Sequence, residues 1–454
     1  MELFRFQSEG VNQLLCRPVV LLADDMGLGK TVQAAAAIRR LFEWQAIRRV
    51  LVVTPASLCY NWQDELRRWA PGCPSVIYSG ADRFGMLRGG ARILIGSYET
   101  VASDLRRDTQ DGNSFCDIGL DLLVLDEVHR IKTPDSIRSR VLCKLVAARR
   151  WGITGTPLEN HPRELASVLR FLFPNEYGSA HELEDHARTL ALRDRCTIRR
   201  TKEKVGIQLP PKTVGHILVG LTPEQDAEYV HALSLVKTSV TEATKWSEAA
   251  SRLLGGLQRL RRIATVSTSG TSGKMDLICE EVEVLAERGE KVVVFSSFAQ
   301  LALPVLARRL DRYGAVLYTG KMSQQQRQIS HERFAHDPAC LVMCASLRAA
   351  GVGLTWTSAS NVYHLDLWWN PQALRQAEDR VHRIGQTKPV LIKRLVSVGT
   401  IEEGIKDLLV AKEEVFRFVI DGEAGSHLAG MPLDQLLSLV GLRQGQLKAM
   451  SCQG

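Results

Sequence analysis

The chain has few aromatic residues, 6% of 454, and no long apolar run. Its longest, such as Val19-Val20-Leu21-Leu22-Ala23 and Lys291-Val292-Val293-Val294-Phe295, are strand-sized. None approaches the roughly 20 residues that span a bilayer. Met1-Glu2-Leu3-Phe4-Arg5 is not a basic segment followed by an apolar one, so no signal peptide is expected and an intracellular place is. The ten cysteines are scattered, and only Cys340 and Cys344 lie close, inside an apolar run. A zinc site uses about four ligands, usually in two close pairs, so reduced and buried thiols are expected instead. Short-period repeats are absent. What remains is an ordinary globular composition, 45% hydrophobic and 24% charged, long enough for two or three domains. The formal net charge of +8 attracts polyanions but does not by itself name one.

Short apolar runs alternate with helical spacing in two blocks. In the first, Val19–Ala23, Val50–Val53, Arg92–Ile95 and Leu122–Leu125 read as strands covered on both faces, with helices over Thr31–Trp44 and Ser57–Trp69. In the second, the strands are Val292–Phe295, Ala315–Tyr318, Leu341–Cys344, Val362–Leu365 and Val390–Val396. The helices there are Lys274–Glu287, Ala299–Asp311, Ser323–Phe334 and Gln372–Val381. The alternation predicts two parallel, doubly wound α/β domains. Between them, His161–Leu192 and Pro223–Ala264 read as helical, interrupted by the rigid break Leu209-Pro210-Pro211-Lys212. Ser267–Gly273 reads as a flexible joint. The amphipathic Leu433–Leu442 reads as a packing helix, with a partner helix as the alternative.

Asp24-Asp25-Met26-Gly27-Leu28-Gly29-Lys30-Thr31 follows a strand and opens a helix, as a phosphate-binding loop does. Gly27 and Gly29 let backbone N–H groups approach phosphate oxygens, and the helix end adds positive dipole. Lys30 would contact the β- and γ-phosphates of ATP, and Thr31 would ligate Mg2+. The strand ending in Asp126-Glu127 supplies the other half of a hydrolysis site. Asp126 would hold Mg2+ through water, and Glu127 would polarise the attacking water.

These residues resemble the Swi/Snf-type ATPases of helicase superfamily two. Phe4–Asn12 is similar to the family's adenine-sensing segment, which implies that Gln7 meets the adenine. Ala23–Thr31 matches its phosphate loop, aspartate at 24 included. Val53-Thr54-Pro55 and Ser97-Tyr98-Glu99-Thr100 look like first-lobe nucleic-acid contacts. Asp126–Arg130 resembles the acid box, with Val128 in place of the more usual Ala or Gly. Gly152–Asn160 resembles the coupling motif. In the second block, Phe295-Ser296-Ser297, Ala349–Thr355, Trp369-Asn370-Pro371 and Gln376–Gln386 match in order and spacing. The likeness covers roughly residues 1–420.

The resemblance implies two RecA-like lobes with helical insertions: lobe 1 over 1–205, a helical insertion and linker over 206–272, lobe 2 over 273–420 and a tail helix over 421–454. Gly353 and Gln376 would join the nucleotide site. Arg380 and Arg383 would be arginine fingers, whose planar guanidinium suits phosphate, so that one active site is shared between two halves. Thr54, Ser97, Thr156, Ser297 and Thr355 would grip backbone phosphates without reading sequence. Trp369 either stacks at the groove or packs in the core, and Trp356 and Trp368 are expected in the core. His129 and His382 are expected to organise hydrogen bonds rather than bind metal. Arg199-Arg200-Thr201-Lys202 either touches DNA or forms a solvated face. The implied activity is a double-stranded-DNA-stimulated, ATP-driven translocase that displaces protein–DNA complexes. The alternatives are a strand-separating or annealing helicase and, from another class, an inactive DNA-binding scaffold. The expected partner is duplex DNA, with a targeting protein beside a monomeric motor. The expected location is cytoplasmic at the nucleoid, or nuclear in a eukaryote.

Overall fold

The computed structural model describes residues 2–88, 91–107, 115, 119–131, 133, 136–155, 162–174, 176, 186–206, 209–243, 245–347, 355–369, 371–409 and 433–442. The chain divides into two compact units, with the boundary between Gln208 and Leu209. The first unit holds strands β1 (Val19–Leu22), β2 (Val50–Thr54), β3 (Ser75–Tyr78), β4 (Ile93–Ser97), β5 (Leu120–Asp126), β6 (Ala147–Ile153) and β7 (Thr197–Ile198). They form one sheet in the order β3-β4-β2-β5-β6-β1-β7, paired in parallel. Parallel strands need crossover connections, which here are helices such as Lys30–Glu43 and Cys59–Trp69. The expected strands are all found, and β2 is buried along its whole length.

Three first-unit strands were not anticipated: β7, only two residues long, and β3 and β6, whose composition explains why. Strand β6 reads Ala-Ala-Arg-Arg-Trp-Gly-Ile, with two arginines where a buried strand should be apolar. Arg149 faces the helix Arg5–Cys16 and donates to the Leu15 carbonyl at 3.1 Å. Arg150 is buried, donates to the carbonyls of Phe171 and Leu145, and stands 5.4 Å from the Phe171 ring centre. Strand β3 is four residues and mostly half-buried, too short to register as a period.

The second unit holds β8 (Lys212–Val219), β9 (Lys291–Ser296), β10 (Val316–Tyr318), β11 (Val342–Ser346), β12 (Ala359–His364) and β13 (Val390–Ser397). Their order is β10-β11-β9-β12-β13-β8, again parallel throughout. Side chains alternate between two cores. Val293, Phe295, Met343 and Ala345 enter one, while Val292, Val294, Val342 and Cys344 enter the other. The helices Gly273–Glu287 and Ala302–Arg309 cover the second face.

The first face corrects the expected domain plan. The stretch 206–272 is not an insertion between two lobes. Lys212–Val219 is the edge strand beside β13, and Pro223–Thr241 and Trp246–Thr265 pack into the core with Tyr229, Val236, Leu253 and Leu260. Nor is Ser267–Gly273 a loose joint. Thr271 donates its backbone N–H to the Ser267 hydroxyl at 2.9 Å, and Thr268 donates to Glu228 at 2.8 Å. Ser272 caps the helix Gly273–Glu287 through the Met275 N–H. A side chain at Gly273 would meet the Gly220 carbonyl at 2.3 Å, so only glycine fits. The thiol expectation holds in part: Cys59, Cys73, Cys196, Cys340 and Cys344 are buried, but Cys16 is exposed and Cys143 and Cys279 are half-buried.

The tail segment lies on the same first face. Leu436, Leu437, Val440 and Leu442 are buried in that core. Leu437 is fully buried, so Leu437→Ala removes buried methyl groups and leaves a cavity. The expected cost is about 2–5 kcal/mol, read as a lower denaturant midpoint for the second unit. An unchanged midpoint would place this helix outside the cooperative core.

Candidate nucleotide site

Parallel strands end on one edge of a sheet, and the first unit collects its candidate residues there. The loop after β1 carries Gly27 at φ 86° and Gly29 at φ 72°, left-handed conformations that suit glycine. The helix Lys30–Glu43 starts directly after Gly29, with Thr31 in its first turn. Gln7 lies against this loop: its Nε2 donates to the Leu28 carbonyl at 3.2 Å, and a Cβ at Gly29 would meet that nitrogen at 2.5 Å. Lys30 Nζ donates to the carbonyls of Asp24 at 2.8 Å and Asp25 at 3.1 Å. Burial lowers the Lys30 pKa, against the opposing pull of Glu127, Asp24, Asp126 and Asp25.

Asp24 explains a basic segment that the sequence left open. Its fully buried carboxylate receives Arg200 Nε at 3.0 Å and Nη2 at 2.6 Å, a two-pronged pair. Gln33 adds a third bond at 3.0 Å. The Arg200 guanidinium also sits 5.5 Å from the Phe6 ring centre and donates to the Phe6 carbonyl. Lys202 gives its backbone N–H to Asp25 at 3.0 Å. Arg200 therefore belongs to the phosphate loop's support, neither to a DNA contact nor to a solvated face.

Asp126 ends β5 and is buried. Its Oδ2 accepts from Trp62 Nε1 at 2.7 Å and from the Thr54 hydroxyl at 3.2 Å, and its Oδ1 accepts the Glu127 N–H at 2.9 Å. Burial and then Glu127 push the Asp126 pKa up to about 6, with Trp62, Lys30 and Thr54 opposing. Glu127 stands at φ 52°, rare for a non-glycine residue, and His129 Nδ1 lies 3.3 Å from its Oε2. Trp62 escaped sequence reasoning because a tryptophan inside an amphipathic helix reads as core, and it is both core and donor.

Several expected phosphate-gripping hydroxyls are engaged elsewhere. Thr54 is fully buried on Asp126, so it does not present itself to nucleic acid. Ser97 is buried and caps the helix Tyr98–Arg107 by accepting the Thr100 N–H at 3.0 Å. In the second unit, Ser297 donates to Asp366 Oδ1, and its own N–H reaches Oδ2 at 2.9 Å. Trp369 is buried in the core with its ring centre 5.5 Å from the Arg261 guanidinium, which settles the two readings in favour of packing. Trp356 is likewise core, bonded to His331 Nδ1 at 3.1 Å, and Trp368 is partly buried against that core. Thr355 is exposed. Thr156 and Gly353 lie outside the described residues. Gln376 is half-buried on the helix Pro371–Glu378. Arg380 is buried and Arg383 half-buried, in the turn that follows. Gln386 pins that turn by donating to the carbonyls of Ala359 at 2.7 Å and Val381 at 3.1 Å.

The donor set fits a nucleotide with a divalent cation. Glycines leave the loop backbone bare, a lysine stands within it, and two adjacent carboxylates at Asp126 and Glu127 repel one another, a repulsion that a cation would relieve. A parallel α/β unit with this loop and these acids is the ATP-binding unit of a nucleotide hydrolase. Residues 6–267 match the family described as the SNF2-related domain, and residues 273–385 match the helicase conserved C-terminal domain. The chain belongs to the SNF2-related family of helicase-like ATPases.

It is 29% identical to the ISWI chromatin-remodeling complex ATPase ISW1 of Saccharomyces cerevisiae, over 91% of this chain and 40% of that protein. It is 28% identical to the putative ATP-dependent helicase/translocase YwqA of Bacillus subtilis, over 96% of this chain and 50% of that protein. The chain thus spans half or less of the length of these relatives. Among solved structures it is similar to the Sulfolobus solfataricus SWI2/SNF2 ATPase core in complex with dsDNA, at 28% identity and a TM-score of 0.45, over 97% of each chain.

Two outcomes follow from this geometry. A Cβ at Gly155 would meet Met26 Cγ at 2.6 Å and Lys30 Nζ at 3.1 Å. Gly155→Ala should therefore displace Lys30 and lower kcat at least about tenfold with little change in melting temperature. A wild-type kcat would show that the loop absorbs the methyl group. Second, Asp126 has a folded pKa above its ordinary 3.8, so its contribution to stability is present below that value and is lost as pH rises through about 6. Catalysis that needs the carboxylate runs the other way, and kcat/KM, which reports the free protein, should rise through about pH 6. Trp62→Phe removes an opposing hydrogen bond and should move that limb to higher pH. An unmoved limb would assign it to another group.

Proposed function

We propose that this ATPase is a duplex-DNA-stimulated translocase that moves along DNA and displaces or remodels bound protein. The observation that carries the reading is the joint placement of Lys30, Asp126 and Glu127 at one sheet edge. Lys30 would leave its two carbonyl partners for phosphate oxygens. Thr31 and Asp126 would hold Mg2+, which supplies charge neutralisation on the phosphates when bound. Glu127 would orient and polarise the attacking water. Gln7, already against the loop, would meet the adenine. Arg380 and Arg383 would supply the remaining positive charge as the γ-phosphate departs.

The DNA part rests on family membership and on the basic charge of the chain. The relatives named above are a chromatin-remodeling complex ATPase and a putative ATP-dependent helicase/translocase, and both names favour an active motor over a silent scaffold. The contacts would go to the phosphate backbone, with the exposed Thr355 among them, so binding should be nearly sequence-independent and steeply salt-dependent. A targeting partner and a place at the nucleoid or in the nucleus belong to the same proposal.

Lys30→Ala and Glu127→Gln should each lower ATP turnover roughly a hundredfold or more while duplex binding persists. The decisive comparison is ATPase stimulation by duplex DNA, single-stranded DNA and RNA, with displacement of a third strand from duplex as the readout of motion. Equal or greater stimulation by RNA would overturn the DNA preference. Unwinding of a labelled fork would favour the strand-separating alternative.

A further inference from the structure

The Pro-Pro break is not a passive spacer. Leu209 opens the second unit, and each of the next three residues is bonded within it. The Pro210 carbonyl accepts from His382 Nε2 at 2.8 Å, which requires the proton on that nitrogen. The Pro211 carbonyl accepts the Val390 N–H at 2.9 Å and pins the segment to β13. Lys212 Nζ donates to Glu378 Oε2 at 2.7 Å. The two prolines fix their own φ, so the segment is a stiff rod.

Two of those three bonds go to one place. Glu378 is the last residue of its helix, and His382 lies between Arg380 and Arg383. Glu378 is fully buried; its Oε1 accepts Arg394 Nη2 at 2.9 Å, and His364 Nε2 lies 3.3 Å from the same oxygen. These partners stand on three neighbouring strands, β12, β13 and β8. Burial raises the Glu378 pKa, but His364, Lys212 and Arg394 outweigh it and hold the group well below the usual carboxylate range. Burial drives His364 toward its neutral form, so the balancing charge rests with Lys212 and Arg394. Arg394 lies inside the cluster, whereas Lys212 sits at its rim with a side chain 25% exposed.

We propose that Lys212, acting through Glu378, and Pro210, acting through His382, position the turn that carries Arg380 and Arg383. The stiff segment by which the chain enters the second unit is thus a positioning element for the two arginines. The inference rests on the reading that those arginines neutralise the departing phosphate. Lys212 and His382 touch no substrate and are positioning residues.

The test is steady-state ATP turnover of the full chain at saturating duplex DNA. Lys212→Met should lower kcat about threefold to tenfold, leaving KM for ATP and the DNA Kd within about twofold. Lys212→Arg should restore most of the loss. In an Arg380→Ala, Arg383→Ala background, Lys212→Met should cost nothing further, because both residues it positions are gone. A general loss of fold would instead multiply through that background and lower the melting temperature. Should Lys212→Met not fold, His382→Phe undergoes the same measurements. If the Arg380→Ala, Arg383→Ala variant keeps wild-type kcat, the reading of the arginines fails whatever Lys212 does. If that variant is impaired but Lys212→Met is not, or if the two losses simply multiply, the positioning role is overturned.

Discussion

Parallel pairing is the constraint on which the rest of this molecule depends. Every strand of a parallel sheet ends at the same edge, so residues far apart in the chain meet there without any local signal. The register of the first unit sets Thr54 beside Ser97, and Asp126 beside Ile153. That edge holds the phosphate loop after β1, the acids after β5 and Gly155 after β6. Continuous burial of the strands on both faces then fixes the edge, since a shifted strand would break a row of backbone bonds in a dry interior.

Burial of charge carries an electrostatic cost in each unit, and several buried charges meet it with specific partners. Asp24 is held by Arg200 and Gln33, and Glu378 by Arg394 and Lys212. Asp366 takes Arg261, whose guanidinium lies among the rings of Phe298, Trp368 and Trp369. Removing one member of such a group leaves an uncompensated charge, which is why these clusters hold loops rigidly rather than adding much net stability. Asp126 is the exception in kind. Its pKa is driven upward, by burial first and then by Glu127, another acid. A site with that imbalance is suited to a cation rather than to a structural role.

Much of the fold was legible because burial on two faces writes itself as uninterrupted apolar runs. Val50–Thr54 and Lys291–Ser296 are such runs, and the loop at Gly27-Leu28-Gly29-Lys30 announces its chemistry through glycine and lysine spacing. Strand β6 was hidden because its arginines find carbonyl and aromatic partners only in the folded chain. Strand β8 was hidden because an edge strand is half solvated, and its Gly215 and His216 dilute the apolar pattern. The Ser/Thr stretch after Thr265 reads as flexible by composition. It is ordered by Glu228, 40 positions before Thr268.

The sequence by itself determined a nucleotide-type loop and a strand-end acid pair on parallel α/β units, since that chemistry needs particular side chains at short, fixed spacings along one strand–loop–helix. It could not decide which hydroxyls remain available. Thr54 and Ser297 sit in motifs yet give their protons to Asp126 and Asp366. Tertiary structure alone decided that Arg200 supports the phosphate loop, that Trp369 is core, and that Pro210 and Lys212 clasp the arginine turn. The physical reason is the same each time. A polar side chain's role is set by whichever buried partner lies within about 3 Å, and that partner is chosen by the packing of distant strands.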